Sequence, residues 1–173
     1  TYINYFFRRA PGVFDEVCWN GDGSTPQTIS PGFTVIPEFI ITKKRNNTSQ
    51  WYIYHKDLIT PTSYYLNLAS TNGQADLGAT AWGNTSTTFL ATPGMGLNNA
   101  VSTYVAYLFA TLAGISKVGS YTGNGTSQTI NCGFAAGARF ILIKRTDAVG
   151  DWFIWDSVRG IVIPRDPQTG AGY

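Results

Sequence analysis

Apolar and polar positions alternate along this chain in short runs, and the runs are broken by Gly, Pro, Asn and Ser. A period of two is the mark of a strand with one face on a core. Phe39 to Lys44 and Trp51 to Lys56 flank the polar stretch Arg45-Asn-Asn-Thr-Ser-Gln50, which predicts a hairpin with a medium loop. Tyr64 to Leu68, Thr87 to Leu90 and Tyr104 to Phe109 predict further strands. Thr103 to Leu112 has a spacing that could pass for helical, but its aromatic and β-branched content assigns it to a strand. Many short strands joined by turns predict an all-β protein of antiparallel sheets, a β-sandwich or jelly roll.

The pattern occurs twice. Thr1-Tyr-Ile-Asn-Tyr-Phe-Phe7 matches Thr103-Tyr-Val-Ala-Tyr-Leu-Phe109, and at the same spacing Gly12, Trp19, Gly21 and Gly23 fall on Gly114, Tyr121, Gly123 and Gly125. After a one-residue slip, Gln27-Thr-Ile29 falls on Gln128-Thr-Ile130, Phe39-Ile40 on Phe140-Ile141, Lys43 on Lys144, and Trp51-Tyr-Ile-Tyr54 on Trp152-Phe-Ile-Trp155. A period of roughly 100 residues is domain-sized. Small residues at Ala10-Pro-Gly12 and Leu112-Ala-Gly114 mark the cuts. The division expected is residues 1–12 as the last strand of a preceding repeat with a linker, 13–112 as a complete β-sandwich repeat, and 113–173 as the first part of a second, incomplete repeat. Both ends fall inside a repeat, so the reading expects the polypeptide to continue past Thr1 and Tyr173 or to borrow strands, Thr1 to Phe7 being one that could add to a neighbour's sheet.

Composition narrows the function classes. Charged residues make up 13% and the formal net charge is +2, so no strong field selects nucleic acid or an anionic membrane. The longest apolar stretch, Tyr104 to Ala110, is far short of a bilayer span, so no membrane insertion is expected. Cys18 and Cys132 occupy different places in the repeat and are expected to be free thiols. Lys43-Lys44-Arg45 and Lys144-Arg145 end strands beside hairpin loops, where charge keeps an edge wet.

Candidate chemistry is thin. His55 is the single histidine, and its counterpart is Asp156, so the two copies cannot share histidine chemistry. Glu16 and Glu38 are the only glutamates, and they fall opposite Val118 and Arg139, so no carboxylate pair for glycoside hydrolysis persists between the copies. Asp22 and Asn124 sit in matching glycine turns, where turn geometry accounts for them without a calcium ion. Gly21-Asp-Gly23 and Gly123-Asn-Gly125 lack the Gly-Lys-Ser/Thr sequence of a phosphate loop. No catalytic residue, metal site or cofactor is expected.

Aromatics, at 14%, are the strongest residue-level feature. Trp51-Tyr-Ile-Tyr54 puts Trp51 and Ile53 on one face and Tyr52 and Tyr54 on the other. The first face is expected in the core. The second is expected either under a loop or neighbouring domain, or at a sugar-stacking or protein-contact surface. Trp82, in the loop-like Ala-Trp-Gly-Asn, is expected to be partly exposed, so the binding candidates are Trp82, Tyr52 and Tyr54.

The repeated text also carries a resemblance. Thr103-Tyr-Val-Ala-Tyr-Leu-Phe-Ala110, Lys117-Val-Gly-Ser-Tyr-Thr-Gly-Asn-Gly125, Phe140-Ile-Leu-Ile-Lys-Arg-Thr-Asp147 and Gly150-Asp-Trp-Phe-Ile-Trp-Asp156 resemble a repeated β-rich domain of tailed-bacteriophage virion proteins. Arg8-Arg-Ala-Pro-Gly12, Trp51-Tyr-Ile-Tyr-His-Lys56 and Ala81-Trp-Gly-Asn84 extend it through the first copy, and Ile161 to Tyr173 depart from it. The resemblance implies tandem lectin-like or jelly-roll sandwiches in a non-enzymatic virion protein, a tail-fibre or other appendage segment that aids host attachment. The implied partners are other virion proteins, further copies in a homo-oligomer, often a trimer, and a host surface polysaccharide. A capsid or head decoration protein and a polysaccharide-cleaving tail enzyme are the competing readings. The low charge predicts a host contact that is aromatic and polar rather than ionic.

Overall fold

The computed structural model describes residues 4–159. It is all-β and antiparallel, with ten strands and a single 3-10 turn at Pro93–Met95 among the described residues. The strands are β1 Phe14–Asn20, β2 Gln27–Ile29, β3 Phe39–Lys44, β4 Tyr52–His55, β5 Tyr64–Asn67, β6 Ala75–Asp76, β7 Phe89–Ala91, β8 Thr103–Phe109, β9 Phe140–Lys144 and β10 Trp152–Asp156. Six form one sheet in the order β1-β8-β3-β4-β5-β6, while β2 pairs β7 and β9 pairs β10.

The centre of the large sheet is β8, between β1 and β3. Its aromatic and β-branched run suits a strand paired on both edges, and Tyr104, Ala106 and Leu108 are fully buried. Tyr104 lies opposite Trp19 of β1, and the two rings stack at 5.1 Å. Polar ends of these rings find partners: Trp19 Nε1 donates to Leu97 O and Tyr104 Oη donates to Gly96 O. One cluster joins this face of the sheet to Ile29, Phe89 and Ala91 of the β2–β7 pair and to Ala81, Trp82, Met95 and Leu97 of the loops. A second, smaller cluster on Ile53, Leu58 and Leu66 takes in Trp152 of β10.

The repeat is visible bond by bond. Ala10 bridges Phe14 as Leu112 bridges Ser116. Asp22 Oδ1 accepts the Ser24 N–H as Asn124 Oδ1 accepts that of Thr126, and Gln27 donates to Asn20 O as Gln128 donates to Thr122 O. Gly23 and Gly125 share the left-handed backbone, at φ 77° and 78°. Yet the counterparts of β1 and β2 form no strand in the second half. In the first half, among the described residues, β1 pairs only with β8, and β2 only with β7. Among the described residues no second strand takes the place of β7 or β8, so only the hairpin, which pairs with itself, survives there.

Asn4–Phe7, expected as a strand, carries no ladder, while Thr1–Ile3 and the departing segment Ile161 to Tyr173 lie outside the described residues. Its rings pack instead: Phe7 meets Phe14 at 5.3 Å, Phe109 at 5.6 Å and Phe140 at 6.0 Å. Among the described residues, 4–12 pack on the sheet by their rings, 13–112 hold the six-stranded sheet and the β2–β7 pair, and 113–159 hold the second hairpin.

Candidate functional site

The three binding candidates are not at the surface together. Trp82 is 1% exposed, with its ring 5.6 Å from Tyr54 and its Nε1 donating to Tyr64 O at 3.1 Å. Tyr54 is buried in the same cluster, and Tyr52 packs half-buried against it, edge-on to Tyr65. The expected exposure of Trp82 is corrected here. A loop-like context says that the backbone is irregular, but this loop crosses the face of the sheet and its indole finds a carbonyl there. The two faces of β4 separate as expected: Ile53 is fully buried in the smaller cluster, and Tyr52 and Tyr54 lie under the Trp82 loop in the larger one, the first of the two alternatives for that face. Burial raises the phenol pKa of both tyrosines.

What covers the Ile53 face is the second hairpin. Trp152 Nε1 donates to Asn67 O at 3.0 Å, just past the edge of the smaller cluster. Along the hairpin loop, Gln74 N donates to Thr146 O at 2.8 Å and Gly150 N donates to Thr71 O at 2.9 Å. Gly73 is needed for this approach, since a Cβ there would lie 2.7 Å from Thr146 O. Lys144 Nζ donates to Thr71 O, Arg145 O and Gly150 O, so the lysine expected at a wet edge ties the loop instead. Lys43 does the same in the first hairpin, donating to Lys44 O and Asn47 O. Beside the junction lies an open groove of about 480 Å³ with Ile59, Tyr64, Gln74, Asp147 and Val149 on its walls.

The titratable groups are held by structural bonds. Burial pushes the Glu38 carboxyl up, but hydrogen bonds from Thr111 and Lys56 outweigh it and hold its pKa below the ordinary value. Thr111 Oγ1 accepts in turn from Val118 N at 3.0 Å, so this group fixes the link between the halves. Burial lowers the pKa of His55, whose Nδ1 accepts from Asp57 N. Cys18 and Cys132 are free thiols, and no cluster of His, Cys, Asp and Glu suited to a metal ion occurs among the described residues. Sequence reasoning passed over Asn98, which is 1% exposed and closes the Asp22 turn with bonds to Asp22 and Ser24 O. It also missed Asp156 as a partner of Tyr5.

A family model described as a domain of unknown function, DUF7483, matches residues 10–166. The chain belongs to that family. The matched span starts at the Ala10–Phe14 bridge and runs across Leu112-Ala-Gly114, so the DUF7483 domain takes in both the large sheet and the hairpin that leans on it. No curated protein and no solved structure matches the chain.

Proposed function

We propose that this DUF7483 chain is a non-enzymatic structural module of a tailed-phage virion, a tail-fibre or appendage segment that aids host attachment. The observation that carries the reading is the packing of one repeat on the next. Trp152, Lys144 and the hairpin loop seat the second copy on the first through one apolar contact and several backbone bonds. Repeat-on-repeat seating of this kind builds a stiff rod from identical units, which an appendage needs. Motif resemblance to virion proteins supports the same reading.

The finer architecture belongs to the proposal too. The six-stranded sheet, with β2–β7 closing one face, is one β-sandwich of jelly-roll or lectin type, and the second hairpin begins another in tandem. Other virion proteins and further copies of the chain are the partners, and a host surface polysaccharide is the target. With Trp82 and Tyr54 buried, contact falls to surface groups such as those lining the junction groove.

Gold-labelled antibody against the domain, imaged on intact particles, tests the reading. Label on the tail or its fibres is the expected result. Label on the head would replace it with a decoration role, and release of reducing ends from host polysaccharide by the purified chain would replace the non-enzymatic reading.

A further inference from the structure

In the first half β3 is paired on both edges, with β8 on one side and β4 on the other. Among the described residues its counterpart β9 pairs only with β10. At the junction where Glu38 N donates to Phe109 O at 2.9 Å in the first half, no backbone bond reaches the matching edge of β9 among the described residues. An unpaired edge carries N–H and C=O groups ready for another strand.

Asn4–Phe7 packs by the rings of Tyr5 and Phe7 on Phe140, the first residue of β9, and its sequence is the counterpart of Ala106–Phe109 in β8. Phe7 stands 6.0 Å from Phe140, as Phe109 stands 5.8 Å from Phe39. Tyr5 packs on Phe140 at 5.0 Å, and its Oη donates to Asp156 Oδ2 at 2.8 Å and accepts from Arg159 Nη2 at 2.7 Å. The segment is therefore already anchored to the hairpin by rings and side chains, without the ladder.

We propose that Asn4–Phe7 is the chain's own strand for the open edge of β9, pairing antiparallel with Phe7 opposite Phe140, Phe6 opposite Ile141, Tyr5 opposite Leu142 and Asn4 opposite Ile143. The register is that of β8 on β3, shifted by the repeat. It sets the row Phe6, Ile141, Trp155 where the first half has Leu108, Ile40 and Tyr54, and it brings Tyr5 alongside Leu142 and Ile154. That placement answers two exposures the repeat leaves unexplained: Phe6 is 93% exposed where Leu108 is fully buried, and Ile154 is 42% exposed where Ile53 is fully buried. The occupant is the same chain rather than a second copy. Ala10 is fixed to Phe14, so the strand starts three residues from an anchored point, and Phe7 is already wedged among Phe14, Phe109 and Phe140. A second copy would have to displace it.

Disulfide trapping tests the register. In a chain with Cys18→Ser and Cys132→Ser, the pair Phe6→Cys with Ile141→Cys is compared with Phe6→Cys with Leu142→Cys under mild oxidation. Residues directly opposite in an antiparallel pair lie within disulfide reach, whereas a shift by one turns the second side chain to the other face. The first pair is expected to link within one chain at least tenfold faster than the second. Equal linking, no linking, or a linked dimer would each overturn the proposal. Amide exchange in the unsubstituted chain guards against a folding defect of the variants. The N–H groups of Phe140 and Leu142 face the open edge, since Arg139 O accepts from Ser157 N on the β10 side, so deleting residues 1–7 should speed exchange at Phe140 and Leu142 at least tenfold and leave β3 protected. Unchanged rates at Phe140 and Leu142 would overturn it as well.

Discussion

Gly21 and Gly123 hold matching places in the repeat but answer to different constraints. A Cβ on Gly21 would sit 2.2 Å from Asn99 O, and its own N–H donates to Ser102 O, so backbone lies close on both sides. Nothing lies within 4 Å of the same atom on Gly123. Gly21→Ala should therefore destabilise the chain by ~1–3 kcal/mol, the usual cost of forcing an added carbon into a packed site, while Gly123→Ala should change little. Denaturant midpoints of the two variants check this, and equal midpoints would show that Asn99 yields. Residues of this kind were half legible. The sequence marks both glycines as turn residues, but the loop that crowds Gly21 comes from nearly 80 positions away. Trp82 shows the same limit, since its neighbours Ala-Trp-Gly-Asn describe a loop and not the sheet face beneath it.

At the level of elements, local pattern located the strands well. The hairpins at Phe39 to Lys56 and Phe140 to Asp156, and the strand at Thr103 to Phe109, are where alternation and turn residues place them. Two things escaped. Period-two alternation separates the faces of β4 but cannot say which is core when both are apolar, and the larger cluster took the tyrosines because β2–β7 and the Trp82 loop lie on that side. Thr1 to Phe7 reads as a strand, yet a strand needs an edge to pair with, and pairing is a property of two segments. The second hairpin gives a prediction at this scale. Trp152→Ala removes both a half-buried indole and its bond to Asn67 O. Amide exchange in β9 and β10 should then approach that of a free hairpin, while β3 and β8 stay protected. Docking should weaken by about 2 kcal/mol or more, from lost apolar burial together with one hydrogen bond. Protection of β9 that survives the change would assign the docking to the loop bonds alone.

For the molecule as a whole, the two ends of the described chain meet at Tyr5, Asp156 and Arg159. Backbone hydrogen bonding from Arg159, helped by the Tyr5 hydroxyl, holds the Asp156 carboxyl at about 2 instead of 3.8. A carboxylate whose pKa is lowered by folding adds stability above its unfolded value and loses it as pH falls through the folded one. The clasp should therefore hold at pH 5 and open between about pH 4 and 2. Tyr5 ring resonances followed by NMR should shift with a midpoint near 2, and Asp156→Asn should abolish the transition. A midpoint at the ordinary carboxylate value would mean that the clasp is not formed. The sheet order has a consequence for how the protein is made. Phe14 of β1 pairs with Phe109 of β8, so the central strand is synthesised long after the edge strand that depends on it. At ribosomal rates of about 5–20 residues per second, β1 waits roughly 5–20 s for its partner. Pairings so distant in sequence also close slowly. During that interval the β3–β4 hairpin can form alone, while Trp19 and its neighbours stay wet and open to the wrong partner, which makes the nascent chain a natural client for chaperones.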